Sequence, residues 1–173
     1  LHKKELNLPQ PTLKHFNRMT DDFGMYQFAT LTRPNVDSGY TLDDNARALI
    51  AALWYHERVR DGRPLSLAQR YLNALEFMMK DDGYFHNYVN KDFTFNSERN
   101  ETENLEDANA RGFWALSAVA SAEHMPADMR EKAARIVDTA IDKHSRVRSP
   151  RAAAFYIKAL ALWLRTRPDD TQR

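Results

Sequence analysis

The chain has 173 residues, of which 43% are hydrophobic and 28% charged, a composition typical of one globular domain with a substantial core. Its formal net charge of +1 gives no global attraction to nucleic acid or to an anionic membrane surface, so neither is expected as a partner. No run reaches 18 apolar residues, so no membrane span is expected. The absence of cysteine excludes disulfides, thiolate zinc sites and a cysteine nucleophile.

The beginning of the chain carries no basic-then-apolar signal segment, which favours a cytoplasmic location and otherwise leaves the compartment open. The first residue is Leu1 rather than Met, as in a piece of a longer protein. Residues 1–173 are treated as a single domain. Residues 11–19 are predicted to form a helix, and residues 24–34 an extended segment.

Five long stretches then follow the 3.6-residue period of amphipathic helices. The first, third and fifth are apolar on nearly every face, which predicts burial all round, whereas the second and fourth have one apolar stripe each. We therefore expect the tryptophans of the buried helices to serve packing. The predicted ranges are 42–60, 66–80, 105–122, a fourth helix from about 126, and 149–164; the tryptophans are Trp54, Trp114 and Trp163.

Capping residues mark where these helices begin. Thr41 is a predicted N-cap, and so is Asn104 with an acid three residues later. Ser66 and Gln69 form a capping-box pattern, and Ser149 precedes a proline suited to a first helical turn. Pro126 is expected near the start of the fourth helix for the same reason.

The alternation of buried and surface helices predicts an all-α fold of antiparallel helical hairpins in two layers. The inner helices then run in the same direction, so their N-termini gather at one end. The long connection over residues 81–104, with an Asp-Asp-Gly turn and many aromatic residues, is predicted to form a short hairpin or ordered loop over that end.

Two of the inner helices begin with nearly the same charged cluster, "TLDDNARALI" (41–50) and "LEDANARGFW" (105–114). Asp43 to Arg47 and Asp107 to Arg111 are helix pairs of the stabilising orientation, and acids in a first turn are routine capping residues. The clusters align in two ways. Counted from the predicted caps, Asp44 matches Asp107; counted from Asn-Ala-Arg, Asp43 matches Asp107. A capping role and a ligand-binding role both remain open.

A concave end lined by tyrosine, histidine, asparagine, acids and arginine suits a polyhydroxylated ligand, because aromatic faces stack on sugar rings and polar groups bond hydroxyls. The predicted binding residues are Tyr40, Asp43, Arg47, Tyr84, His86, Asn87, Glu106 and Arg111. No His-x-x-x-His or EF-hand spacing appears, and neither does a Gly-rich phosphate loop. No metal and no cofactor are therefore expected.

Three stretches resemble bacterial six-hairpin glycosidase-like domains with an (α/α) toroid fold, which occur linked to glycosyltransferases. They are "DDFGMYQFATLTRPNVDSGYTLDDNARALIAAL" (21–53), "DDGYFHNYV" (81–89) and "ENLEDANARGFWAL" (103–116), and the likeness covers roughly residues 12–165. The resemblance implies a toroid, a carbohydrate ligand and glycoside cleavage. A full toroid needs twelve helices, so this chain is predicted to supply about half of one.

Glycoside hydrolysis generally needs two carboxyl groups, one acid and one base or nucleophile, about 5–9.5 Å apart. Asp44 and Asp107 are the predicted catalytic pair, with Asp43 and Glu106 as neighbouring acids. The alternative is a non-catalytic helical module that binds glycan or protein beside a glycosyltransferase. A half-toroid exposes an apolar flank, so self-association or contact with a missing second half is also expected.

Overall fold

The structure, a computed structural model, describes residues 10–60, 62–141 and 147–167. Most of these residues are helical, as predicted, and a small antiparallel sheet accompanies them. The helices are α1 (Lys14–Met19), α2 (Leu42–Val59), α3 (Arg63–Met78), α4 (Ser97–Thr102), α5 (Glu106–Ser121), α6 (Ala127–Ala140) and α7 (Pro150–Thr166). The strands are β1 (Tyr26–Thr30), β2 (Arg33–Thr41) and β3 (Tyr88–Val89).

The long helices form two layers. In the inner layer α2, α5 and α7 lie side by side, while α3 covers α2, α6 covers α5, and the two outer helices touch each other. Ion pairs join the N-terminal turns of the inner neighbours, Asp43 to Arg111 and Asp107 to Arg151. The inner helices therefore run in the same direction, and their N-termini lie at one end.

The core lies between the two layers. Leu49 of α2, Leu72 of α3 and Leu116 of α5 are completely buried, and so is Val137 of α6. Burying one such side chain stabilises a fold by roughly 1.5–3 kcal/mol. The contact between the layers is thus a large source of stability.

The segment before α2 forms a hairpin, β1–β2, and β3 pairs with the end of β2 through Tyr40–Val89 and Thr41–Tyr88. Gly39 allows the backbones of β2 and β3 to approach closely enough to pair. Its φ is +63°, and a Cβ there would lie 2.2 Å from the carbonyl oxygen of Val89. The sequence predicted an extended segment here and an ordered loop later, but not that the two would join in one sheet.

The predicted N-cap of α2 and the predicted opening of α7 at Ser149 are confirmed. The side chain of Thr41 accepts the backbone N–H of Asp44, and that of Ser149 accepts the N–H of Ala152. The fourth long helix likewise begins next to Pro126, as predicted.

Two other predicted starts are wrong. Helix α3 begins at Arg63, before the expected capping box at Ser66. Pro64 fits in the first turn, because the N–H group that proline lacks would have no partner within the helix there. The N-cap of α5 is Leu105, with no side-chain bond. Asn104 instead accepts the N–H of Glu106 at 2.9 Å, a local turn before the helix.

Burial all round was predicted for α2 and α7, and in part this is wrong. Trp54 of α2 is 57% exposed and Ile157 of α7 is 67% exposed, because among the described residues nothing covers these faces of the inner layer. Helix α7 buries one stripe, which includes Tyr156 and Trp163. The packing role predicted for Trp163 is confirmed, since it is 1% exposed.

Candidate functional site

The N-terminal turns of α2, α5 and α7 are joined by their own side chains. The hydroxyl of Ser149 donates to Asp107 at 2.7 Å, and the backbone N–H of Ser149 donates to Glu106 at 2.7 Å. Arg111 of α5 donates to Asp43 of α2. The structure therefore brings four of the predicted site residues, from two helices, to one end of the inner layer.

The two charged clusters align when they are counted from the observed N-caps, Thr41 and Leu105. Asp43 then matches Asp107, each two residues after its cap, and Asp44 has an alanine as its counterpart. The alignment that paired Asp44 with Asp107 depended on a cap at residue 104 and is wrong. The repeated acid is the one at Asp43 and Asp107.

Each repeated acid bridges to the next inner helix. Asp43 binds Arg47 within its own helix, as predicted, and also Arg111 of α5. Asp107 pairs with Arg151 of α7 at 3.1 Å, whereas the guanidinium of Arg111 has turned toward Asp43. The interaction expected between Asp107 and Arg111 is thus replaced by links between helices, which lock the N-terminal ends together.

Asp44 has a different environment. Its Oδ2 accepts the hydroxyl of Thr41 at 2.6 Å, while Thr41 accepts the Asp44 N–H. Burial raises the pKa of the Asp44 carboxyl, and this outweighs the lowering by Thr41 and Arg47. The side chain is still 28% exposed. A partly buried carboxyl group whose pKa is raised and which solvent can reach is a candidate general acid.

The hydrogen bonds of two buried asparagines explain why the asparagine of Asn-Ala-Arg recurs. Oδ1 of Asn45 accepts the N–H of Met25 at 2.8 Å, and its Nδ2 donates to the Met25 carbonyl and to the carbonyl of the N-cap residue. Asn109 makes the same three bonds with Phe85 and with its own N-cap residue. Sequence reasoning gave these asparagines no role, although their recurrence four residues after each cap was the signal.

Two predicted binding residues are structural. Tyr40 is 2% exposed, its ring packs against Phe23 and Tyr26, and its hydroxyl donates to Asp21 at 2.5 Å. Burial and this bond raise the pKa of Tyr40. Tyr40 was predicted to offer an exposed ring face to a sugar. The hairpin instead encloses the ring, so that prediction is wrong for the conformation described.

Asn87 is likewise 5% exposed. Its Oδ1 accepts the N–H of Asp43 at 3.2 Å, and its carbonyl accepts the N–H of Leu42 at 2.9 Å. These are two of the N–H groups that the first turn of a helix leaves unpaired. Asn87 therefore satisfies the start of α2 rather than facing the exterior.

Tyr84 and Glu106 line one cavity, whereas His86 lies in another, beside Lys80 and Asp82. The His86 ring stacks on Phe95 with 4.1 Å between centroids. Burial lowers the pKa of His86, with a further lowering from Lys80, which favours the neutral imidazole. The structure thus separates His86 from the acids of the inner helices.

An aromatic row continues from the acidic end along the uncovered face of the inner helices. Phe155 stacks on Trp114 with centroids 5.4 Å apart, and Trp114 meets Trp54 edge-on at 6.3 Å. Lys158 lies 3.7 Å from the Trp114 ring centre, and Arg111 lies 5.0 Å from that of Phe155. Since Arg111 also binds Asp43, the row begins where the acidic cluster ends.

Within the described ranges there is no group of three or more His, Asp or Glu side chains that could hold a metal ion. None of the helices in that part of the chain is long and apolar enough to cross a membrane. No protein-family model matches the chain, and no curated protein is significantly similar to it.

Proposed function

We propose that this chain is a carbohydrate-active domain that binds an oligo- or polysaccharide at the joined N-termini of α2, α5 and α7 and cleaves a glycosidic bond there. One observation carries the proposal. Four acids and three arginines meet at one end of a helical layer, next to a row of aromatic rings. Carboxylates and guanidinium groups bond sugar hydroxyls, while ring faces cover the C–H faces of sugars.

In this proposal Asp44 donates a proton to the glycosidic oxygen as the bond to the anomeric carbon breaks. Its raised pKa, caused by burial, suits this role. Asp107, in an ion pair with Arg151, is the second carboxyl group and either activates water or attacks the anomeric carbon. Binding of the substrate hydroxyls falls to the partly exposed Arg47, Tyr84 and Glu106.

The partial toroid is part of the same proposal. The inner helices α2, α5 and α7 alternate along the chain with the outer helices α3 and α6, and half of a six-hairpin ring would have the same alternation. The exposed Trp54 and Ile157 lie on the faces where further inner helices would pack. Self-association or contact with further hairpins follows from this arrangement.

A second candidate is a non-catalytic module that binds glycan or protein, of the kind that accompanies a glycosyltransferase. It is favoured by the way the acids are used: Asp43 is shared by two arginines, Asp107 has Ser149 and Arg151, and Glu106 accepts backbone N–H groups. Acids whose oxygens are occupied in this way stabilise the fold. They can line a binding surface that has no catalytic activity.

The two candidates differ in a product-release assay over a panel of oligosaccharides, run with Asp44→Asn and Asp107→Asn. Catalysis predicts that both variants stay folded and bind glycan but lose turnover by about 100-fold or more. The matched control is Asp128→Asn, an exposed acid in the first turn of α6, which should keep full activity. No release from any substrate, with binding retained, would reject cleavage and leave the binding module.

A further inference from the structure

A cavity of about 310 Å³ opens at the N-terminal end of α5, beside the segment that leads into α7. Its walls are the rings of Tyr84 and Tyr156, the apolar side chains of Leu105 and Val147, and polar groups that include two glutamates. Small-molecule sites usually have about 300–1,000 Å³, so this volume suits one ring-sized ligand rather than a length of polymer.

The two tyrosines give the cavity an amphipathic wall. Tyr84 is 41% exposed although the next residue, Phe85, is 1% exposed, so its ring stands at the mouth of the cavity. Tyr156 is 7% exposed. Burial raises the pKa of Tyr156, with Tyr84 and Glu106 adding to the effect, so its phenol keeps its proton. The wall of the cavity therefore carries ring faces together with phenol groups.

The glutamates are held in place before any ligand arrives. Oε2 of Glu106 accepts the N–H groups of Arg148 and Ser149 at 3.2 and 2.7 Å, and no bond to Oε1 is found among the described residues. Glu103 is fixed through both oxygens, by Arg99 at 2.7 Å and by the hydroxyl of Tyr88. Acceptors fixed in this way lose little entropy when a ligand binds.

The charges of the cavity are already balanced. Glu103 is paired with Arg99, and Glu106 lies in the first turn of α5, where the helix dipole stabilises an anion. The described lining contains no lysine or arginine. Among the described lining residues a ligand anion would find no cationic partner, and the paired glutamates do not call for a ligand cation. Uncharged hydroxyl donors fit best.

We infer that this cavity is a subsite for a single uncharged pyranose unit, with its ring on Tyr84 and a hydroxyl donated to Glu106. The inference rests on the proposed function and deepens it, because it places one sugar of the ligand between α5 and α7. It also assigns binding roles to Leu105, Val147 and Tyr156, which the sequence did not single out.

The test is an NMR titration of the whole chain with the methyl β-pyranosides of glucose, mannose and galactose, and with methyl β-glucuronide as an anionic counterpart. Val147→Trp fills the cavity and Tyr84→Ala removes its stacking wall. The matched control is Phe28→Ala, which truncates a ring that is 57% exposed on the β1–β2 hairpin. Circular dichroism verifies that each variant is folded.

At least one uncharged glycoside should bind, with an affinity that falls about tenfold or more, or 1.4 kcal/mol, in both cavity variants. The control should stay within about twofold of the wild type, since it changes an exposed site elsewhere. The glucuronide should bind more weakly than the glucoside. Binding that ignores both cavity variants, or equal binding of the glucuronide, would overturn the inference.

These experiments distinguish a failure of the proposed subsite from a failure of the proposed function. If the chain binds or cleaves oligosaccharides but neither Val147→Trp nor Tyr84→Ala changes this and no monosaccharide glycoside binds, the subsite is wrong and the proposed function stands. If no glycan of any length binds, both fail together.

Discussion

Asp21 accepts four hydrogen bonds at once. Its Oδ1 accepts the N–H groups of Phe23 and Gly24, and its Oδ2 accepts the hydroxyls of Tyr26 and Tyr40. Burial acts to raise the pKa of this carboxyl, but the bonds, chiefly that from Tyr40, outweigh it, so the pKa lies below its ordinary value. The ionised carboxylate therefore stabilises the turn that leads into the hairpin.

This pKa predicts a pH-dependent effect of Asp21→Asn. Because the folded pKa is below the unfolded value of about 3.9, the stabilisation is present above that pH and is lost as the pH falls through the folded pKa. At pH 7 the substitution should lower the free energy of unfolding by about 1–2 kcal/mol.

The measurement is urea unfolding at pH 7 and at pH 3, where the difference from the wild type should shrink. Asp22→Asn is the control, because its side chain is fully exposed and its only described ion pair, with Arg70, is a surface one. A difference that is the same at both pH values would contradict the role given to the Asp21 charge.

For single residues, the sequence predicted that the charged side chains at the inner-helix N-termini would lie close together. It did not predict that Tyr40 and Asn87 would be buried. The convergence of Asp43, Glu106 and Asp107 followed from parallel inner helices and first-turn positions alone. Tyr40 and Asn87 could not be placed, because their burial depends on strand pairing between distant segments of the chain. A one-dimensional pattern does not show which loop will cover which ring.

Among the structural elements, one buried asparagine connects the start of each of two inner helices to a neighbouring segment. Asn45 of α2 binds the backbone of Met25, and Asn109 of α5 binds the backbone of Phe85. Asn45 is completely buried and Asn109 is 4% exposed, and each satisfies backbone groups on two segments. Buried backbone groups left without partners cost about 1–3 kcal/mol each. The asparagines therefore determine how loop and helix fit together.

Asn45→Ala should consequently lower the free energy of unfolding by about 2–4 kcal/mol, because three hydrogen bonds are lost and Met25 keeps unpaired backbone groups. Urea denaturation measures the change. Asn73→Ala, at an exposed position of α3, should cost less than about 1 kcal/mol, because the two hydrogen bonds that its side chain accepts, from Gln69 and Lys132, are exposed to solvent. An equal decrease in the free energy of unfolding of the two variants would show that Asn45 does not hold the segment around Met25 against α2.

The order of the long helices and the start of α2 at Thr41 could be read from periodicity and caps, because both are local signals. The early start of α3 and the exposed face of α7 could not. Whether an apolar face of α7 is covered depends on a neighbouring element, and the apolar pattern of residues 152–164 is the same with or without one. The sheet depended on pairing across about 50 residues.

For the whole molecule, the uncovered faces of α2 and α7 predict association. Trp54 and Ile157 are large apolar side chains exposed on the inner layer, and exposed apolar surface of this kind often marks a contact. Light scattering should find the chain in dimers or larger species, and Ile157→Glu should shift it toward monomer. A stable monodisperse wild-type monomer would count against the partial toroid.

The central claim is that glycan binds at the joined N-termini of the inner helices. Hydrogen–deuterium exchange, with and without the oligosaccharide of the panel that binds most tightly, tests it most directly. We predict slower exchange of backbone amides at residues 42–47, 106–111 and 149–152, and no change at residues 127–131 of the outer helix α6. Protection confined to α6 or to the β1–β2 hairpin, or no protection with any glycan, would contradict the claim.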